Sequence, residues 1–221
     1  MRLPRPVTHV VFDLDGVLLD TEGLYTRATQ EIVGRYGKVY DWSIKQQLLG
    51  RPSLEAARHL VRALALPMTP EDFLLEREAR LAKVFPDSRP MPGARELVAA
   101  LAARGVRQAV ATSSTWAVFA LKTARHADWF GTFAAVVVGD DPRVGRGKPA
   151  PDIFLVAAEA LVVAPARCLV VEDAPAGVVA AHAAGMQVIA VRDPGMDPAL
   201  VAEAELVVGS LTELAPRDLG F

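Results

Sequence analysis

Six short runs rich in valine and isoleucine, most of them bounded by Gly, Pro or acidic residues, set the strongest limit on how this chain can fold. They are His9–Phe12, Arg107–Ala111, Ala134–Val138, Cys168–Val171, Gln187–Val191 and Leu206–Val208. A strand with one wet face alternates apolar and polar residues. These runs are apolar almost throughout, as in a sheet covered by helices on both sides. The segments between them carry helix punctuation. Gly93–Ala103 stops before Gly105, a proline opens the stretch at Pro151-Asp152, and Ala176–Ala184 halts at Gly185, where a left-handed cap suits glycine. The expected fold is α/β, a Rossmann-like three-layer core with a mostly parallel sheet.

One stretch breaks the alternation. From about Leu18 to Phe85 the pattern reads as helices with no convincing strand. Thr69-Pro70-Glu71-Asp72 has capping-box spacing with proline at the first helical position. Arg58, Arg62, Glu76, Arg77, Glu78 and Arg80 read as solvated helix faces. An all-helical cap inserted after the first strand is therefore expected over residues 18–86. Residues 1–17 and 87–221 would form the α/β core, with Pro86 to Pro92 as the return linker.

Composition narrows the class. At 52% hydrophobic and 23% charged residues the chain can bury a sizeable core, and a formal charge of -2 supplies no basic footprint for nucleic acid or a membrane surface. The single cysteine, Cys168, rules out an intrachain disulfide and suits a reducing cytosol. Met1-Arg-Leu-Pro-Arg-Pro lacks the apolar stretch of a signal peptide, and no later run is long and apolar enough to span a bilayer. The expectation is a soluble cytoplasmic monomer.

Chemistry concentrates where the predicted strands end. The first strand runs into Asp13-Leu14-Asp15-Gly16. Residues two apart on a strand share a side, so both carboxylates could meet at the edge where open α/β sheets hold ligands. An ionised Asp13 would be a nucleophile, and a protonatable Asp15 a general acid and then a base. The plain alternative is that two aspartates merely end a strand. Glu172-Asp173 closes another buried-looking run and could help bind a hard cation such as magnesium, or Asp173 could simply cap a helix. Asp140-Asp141, before Pro142, reads as a turn. Thr112-Ser113-Ser114-Thr115 offers hydroxyls and free N–H groups at a strand-to-helix switch, which can hold an anion or only cap the helix. Lys148, in Gly145-Arg-Gly-Lys-Pro149, is placed as a point charge for a phosphate, or is merely solvated. Four such signals in order, at four strand ends of one sheet, together specify phosphoryl transfer.

On these residues the chain resembles the haloacid dehalogenase superfamily over essentially its whole length. The resemblance implies Asp13 as nucleophile and Asp15 as general acid/base. It implies magnesium held by Asp13, the Asp15 carbonyl and Asp173, with Glu172 assisting, and phosphate held by Thr112, the Ser113 amide and Lys148. The helical insertion matches a cap that closes over the site. Within the superfamily the chain is most similar to the pseudouridine-5'-phosphatase-like branch. The matching stretches include Asp20-Thr-Glu22, Ala111-Thr-Ser-Ser114, Lys122-Thr-Ala-Arg-His126, Gly139-Asp-Asp-Pro142 and Glu172-Asp-Ala-Pro175. That likeness implies a magnesium-dependent phosphatase acting on a small nucleoside, sugar or polyol phosphate through an aspartyl-phosphate, pseudouridine 5'-phosphate being favoured. Tyr25, Arg51 and Ser53 are the expected cap-side residues.

Three rival readings compete with this one. A sugar phosphomutase resembling β-phosphoglucomutase carries a cap histidine and arginine where this chain has Tyr25 and Ser53, although Arg51 stands nearby. A 2-haloacid dehalogenase needs neither Asp15 nor the metal-type pair. A catalytically dead module on the same fold would lack one of the motif residues, and none is missing. His9, His59, His126 and His182 read as packing or surface residues, Cys168 as buried and inert, and Trp116 and Phe119 as packing, with Trp116 near the mouth of the site.

Overall fold

A computed structural model describes residues 3–48 and 53–221. Strand β1 (His9–Phe12) is followed by β2 (Leu19–Asp20) and the helices α1 (Glu22–Gly34), α2 (Trp42–Lys45), α3 (Ser53–Ala63) and α4 (Pro70–Val84). Then come β3 (Arg89–Pro90), α5 (Ala94–Ala102), β4 (Arg107–Ala111), α6 (Trp116–Thr123), α7 (Ala127–Phe130) and β5 (Ala135–Val137). The chain ends through α8 (Asp152–Leu161), β6 (Cys168–Glu172), α9 (Pro175–Ala183), β7 (Gln187–Val191) and β8 (Leu206–Val208).

Six strands form one parallel sheet in the order β5-β4-β1-β6-β7-β8. All six lie where the valine-rich runs predict them. Successive side chains on a strand face opposite ways, and the burial follows that rule. Val10 and Phe12 belong to a cluster with Leu97, Val98 and Leu101 of α5, Phe119 of α6, and Trp129 and Phe130 of α7. Val11 joins the other cluster, with Ile153, Phe154 and Leu161 of α8 and Val178 of α9. The sheet is therefore the middle of three layers. Because β1 sits between β4 and β6, the chain changes winding direction beside it. The loops leaving β1, β4 and β6 diverge there, which opens a crevice at their carboxyl ends.

The helices between β2 and β3 have a core of their own. Ile32 and Val33 of α1, Ala57 and Leu60 of α3, and Phe73 of α4 pack together with Leu66. Phe73 is 1% exposed, so Phe73→Ala is expected to cost about 3–5 kcal/mol. A second cluster, Leu24, Ala28, Leu81 and Phe85, leans on Val118 and Leu121 of α6. The capping signature at Thr69 is realised, its Oγ1 accepting from the Asp72 N–H at 3.0 Å.

The stretch from Leu18 is not free of strand, as the sequence had suggested. Leu19 pairs antiparallel with Pro90, and Asp20 with Arg89. Part of the expected return linker is thus a ribbon strand, and both ends of the helical segment pass through this ribbon.

Candidate active site

The sheet delivers Asp13 to the crevice directly. Its N–H donates to the Val171 carbonyl at 2.9 Å, extending the β1–β6 ladder by one residue. Its Oδ1 accepts from Lys148 Nζ at 2.5 Å, and the same ammonium donates to Glu172 Oε1 at 2.5 Å and more weakly to the Ala111 carbonyl at 3.3 Å. Glu172 Oε2 accepts the N–H groups of Asp173 and Ala174, each at 2.7 Å. A Cβ on Gly177, in the first turn of α9, would overlap this carboxylate, so glycine is what lets the helix approach it. Lys148 lies 4.9 Å from the centre of the Phe154 ring, and its peptide bond to Pro149 is cis.

Charge and burial compete at this cluster. Burial raises the Asp13 carboxyl to about 7; Lys148 opposes the rise, and Glu172 and Asp15 add to it. Burial likewise lifts Asp173 well above the usual carboxylate range, helped by Glu172 and Asp13. For Lys148 burial works against the charge, but Asp13 and Glu172 prevail and its pKa stands above that of a free lysine.

Asp15 sits in a different environment. Its Oδ1 accepts from Thr21 Oγ1 at 2.5 Å and from Lys122 Nζ at 2.6 Å, while Oδ2 has one longer contact, Ser114 Oγ at 3.3 Å. Lys122 stood in the sequence only as part of a matching stretch, with no role assigned, because a lysine on a helix normally faces water. Here its side chain is wholly buried. Burial disfavours its charge, yet Asp15 and Tyr25 outweigh that and hold its pKa above the ordinary value. A usable signal was present: Lys122 follows Phe119 by three positions, so helical spacing puts it on the apolar face.

The residues expected to hold phosphate separate into two kinds. Ser113 is exposed and lines the cavity. Thr112 is fully buried, and its Oγ1 accepts the Ser114 N–H at 3.1 Å. Asp140 caps α6 by accepting the Trp116 N–H at 2.7 Å, and Asp141 pairs with Arg143 in the turn. Trp116 packs against Phe119, with ring centroids 5.5 Å apart, and is not among the residues lining the cavity.

That cavity, about 760 Å³, is lined by Asp13, Asp15, Ser113, Lys148, Glu172 and Asp173 on the sheet side. Ser53 lines its other side, together with Glu22, Trp42 and Lys45, to which the sequence assigned no role. Lys45 Nζ is 3.0 Å from Glu22 and lies 5.0 Å from the Trp42 ring centre. Tyr25 stands elsewhere. It packs edge-on against Phe85, and its hydroxyl lies 3.4 Å from Lys122 Nζ, so it backs the Asp15 cluster and does not form the cavity wall. Arg51 lies outside the described residues.

Would a magnesium ion fit the residues expected to hold it? Among the described residues no three His, Cys, Asp or Glu side chains form a preformed cage. Magnesium does not ask for one: it takes one or two carboxylates, waters and substrate oxygens. The donor set suits it. No side-chain donor among the described residues reaches the Asp173 carboxylate, and both Asp13 and Asp173 are held above their ordinary range, first by burial and then by neighbouring carboxylates, Glu172 and Asp15 for the one, Glu172 and Asp13 for the other. A divalent cation between them relieves both strains.

A family model for haloacid dehalogenase-like hydrolases matches residues 7–185. The chain belongs to that family. This hydrolase is 44% identical to (DL)-glycerol-3-phosphatase 1, mitochondrial, of Arabidopsis thaliana, over 97% of this chain and 74% of that protein. It is also 44% identical to the probable pseudouridine-5'-phosphatase of Drosophila melanogaster, over 98% of this chain and 95% of that protein. Among solved structures, a putative beta-phosphoglucomutase from Thermotoga maritima matches the hydrolase with a TM-score of 0.74 at 32% identity, covering 91% of this chain and 94% of that one. The expected superfamily and the expected phosphatase class are both borne out.

Proposed function

We propose that the hydrolase removes phosphate from a small phosphate monoester in two steps at Asp13, with magnesium bound by Asp13, Asp173 and the Asp15 backbone carbonyl. The observation that carries this reading is the contrast between two carboxylates at one strand end. Asp13 is pinned by Lys148, while Asp15 keeps one oxygen lightly bonded beside it. In the first step an Asp13 carboxylate oxygen attacks phosphorus, the ester P–O bond breaks, and the Asp15 carboxyl gives its proton to the leaving alkoxide. In the second, water attacks the aspartyl-phosphate, passes a proton to Asp15 and restores the Asp13 carboxylate as phosphate leaves. Bound magnesium supplies charge neutralisation at the phosphoryl oxygens.

The other residues position and neutralise. Lys148 offers a phosphoryl oxygen the proton now spent on its weakest contact, the Ala111 carbonyl at 3.3 Å. The Ser113 amide and hydroxyl stand at the mouth of the cavity for the same group. Thr112, being buried, supports that loop through its bond to Ser114. Glu172 has both oxygens engaged, so it anchors Lys148 and the start of α9 and acts on the metal through them.

Residues 18–86 act as a cap over this centre, and Glu22, Trp42, Lys45 and Ser53 form its share of the wall. Carboxylate, ammonium and hydroxyl groups on that wall suit a hydroxylated leaving group, that is, a nucleoside, sugar or polyol phosphate. Pseudouridine 5'-phosphate is favoured on the Drosophila relative and glycerol 3-phosphate stands next on the Arabidopsis one. The protein is taken as a monomer in a reducing compartment such as the cytoplasm, where its one cysteine, buried at Cys168, stays a thiol.

The test is phosphate release, with magnesium, from a panel of pseudouridine 5'-phosphate, glycerol 3-phosphate, 2-deoxyglucose 6-phosphate, phosphoglycolate, UMP and β-glucose 1-phosphate. Preference for pseudouridine 5'-phosphate supports the reading in full. The Thermotoga match favours a second reading, a sugar phosphomutase. Conversion of β-glucose 1-phosphate to glucose 6-phosphate with a bisphosphate primer, and no phosphate release from any ester, would put that reading first.

A further inference from the structure

Lys122 is the strongest feature the proposed mechanism leaves unused. It sits on α6, 107 residues from Asp15 in sequence, and its side chain is 0% exposed. Its three ammonium protons are all placed, on Asp15 Oδ1 at 2.6 Å, Ser114 Oγ at 2.9 Å and Tyr25 Oη at 3.4 Å. The Phe85 and Tyr25 rings close over it, with centroids 4.8 and 5.3 Å from Nζ.

Stability does not explain such an arrangement. Burying an ammonium is costly, and a buried ion pair is commonly matched or bettered by apolar residues of the same volume. Asp15, moreover, is not sealed in: its side chain is 25% exposed and lines the cavity. What the pair does is fix orientation. Thr21 and Lys122, both buried, grip Oδ1 from the protein side, so Oδ2 is the oxygen left open to the cavity. Ser114 completes the clamp, accepting from Lys122 and donating to Oδ2.

We infer that Lys122 is the positioning residue for Asp15, holding its carboxyl group so that Oδ2 meets the leaving oxygen of the ester. Two of its other contacts, Tyr25 and Phe85, come from the two ends of the helical segment. The clamp is therefore complete only while those ends are packed on α6. The inference rests on the reading of Asp15 as general acid, and its test separates the two.

An alkyl leaving group needs a proton as its bond breaks, and a p-nitrophenolate does not. With magnesium present, kcat/KM is measured on glycerol 3-phosphate and on p-nitrophenyl phosphate for wild type, K122M and K122R. General acid catalysis contributes on the order of 10²–10⁴-fold. K122M is expected to lose about 100-fold or more on the glycerol ester, through kcat, and about tenfold or less on the aryl ester. K122R, which keeps the charge, restores part of the loss on glycerol 3-phosphate alone. Should K122M not fold, Y25F removes only one contact of the ammonium and is expected to show the same selective loss on a smaller scale. Equal losses on both esters in an active background would overturn the assignment of Lys122 and leave the phosphatase reading standing. A wild-type protein that releases phosphate from neither ester would remove both.

Discussion

A Cβ placed on Gly16 would lie 2.1 Å from Oδ2 of Asp173. The turn leaving β1 and the residue that closes β6 thus touch at a point where no side chain fits. Gly16 also adopts φ 71°, a left-handed conformation that suits glycine. Gly16→Ala is expected to cost about 1–2 kcal/mol in backbone strain and to displace Asp173 as well. Activity titrated against magnesium should show a weaker apparent metal affinity in this variant. An unchanged titration curve would separate Gly16 from the metal site.

Asp13→Asn removes the proposed nucleophile while Lys148 keeps Glu172 as a partner at 2.5 Å. Turnover is expected to fall at least about 10³-fold with far-ultraviolet circular dichroism unchanged. A folded variant that retains substantial activity would take the nucleophile assignment away from Asp13.

The same residue predicts a pH dependence of stability. Burial holds Asp13 at about 7 in the fold, against 3.8 in a free chain. The folded state therefore binds the extra proton between those values. Asp13's contribution is most favourable below the lower one and declines as pH rises through the upper one. In chelator, wild type should lose stability more steeply than D13N between pH 5 and pH 8. D13N should end about 1–3 kcal/mol the more stable of the two. Parallel melting curves across that range would show that Asp13 is ionised in the fold throughout.

Removing divalent metal should stop turnover, and magnesium should restore it. Calcium should restore it poorly, because it takes more ligands in a looser geometry. Magnesium at ten times its dissociation constant should also raise the melting temperature of wild type by about 3–6 °C, and that of D13N by less. Full turnover in chelator would contradict the metal assignment.

If residues 18–86 act as proposed, their share of the cavity wall should set relative rates among esters. The Trp42 ring rests against Gly195, where a Cβ would come within 2.9 Å of it, so the helical segment and the loop after β7 meet across the cavity. Trp42→Ala, Lys45→Ala and Ser53→Ala are each expected to change the ratio of kcat/KM between a nucleoside and a glycerol ester by about tenfold. A substrate panel ranked identically in all three variants would clear these residues of any part in selection.

The sheet was readable because its strands are local: each carries its own valine run and its own terminator, so no knowledge of neighbours is needed. Asp13, Asp15, Glu172 and Asp173 stood out as candidates for the same reason, each lying at or just past one of those terminators, and Lys148 stood out by its Gly-Pro loop. What stayed hidden depends on partners distant in sequence. Leu19–Asp20 and Arg89–Pro90 have no strand composition, and they pair because the fold brings them side by side. Lys122 looks solvated until Asp15, Ser114 and Tyr25 converge on it from three other segments. Tyr25 was expected on the cap side of the site from the likeness to a mutase cap, whereas here it packs against Phe85 and backs the Asp15 cluster. Glu22, Trp42 and Lys45 gather only once α1 and α2 are folded together.

The ribbon of Leu19–Asp20 with Arg89–Pro90 has an evolutionary consequence. Paired strands run about 4.8 Å apart, so the helical segment leaves and re-enters through a single narrow port. Residues between Tyr25 and Phe85 can be lengthened, trimmed or exchanged for another cassette whose ends meet, without shifting the register of the six-stranded sheet or the contacts that Thr21, Tyr25 and Phe85 make around Asp15 and Lys122. In such a plan substrate range and bond-breaking chemistry evolve as separate modules, and a lineage can acquire a new diet while its reaction stays the same.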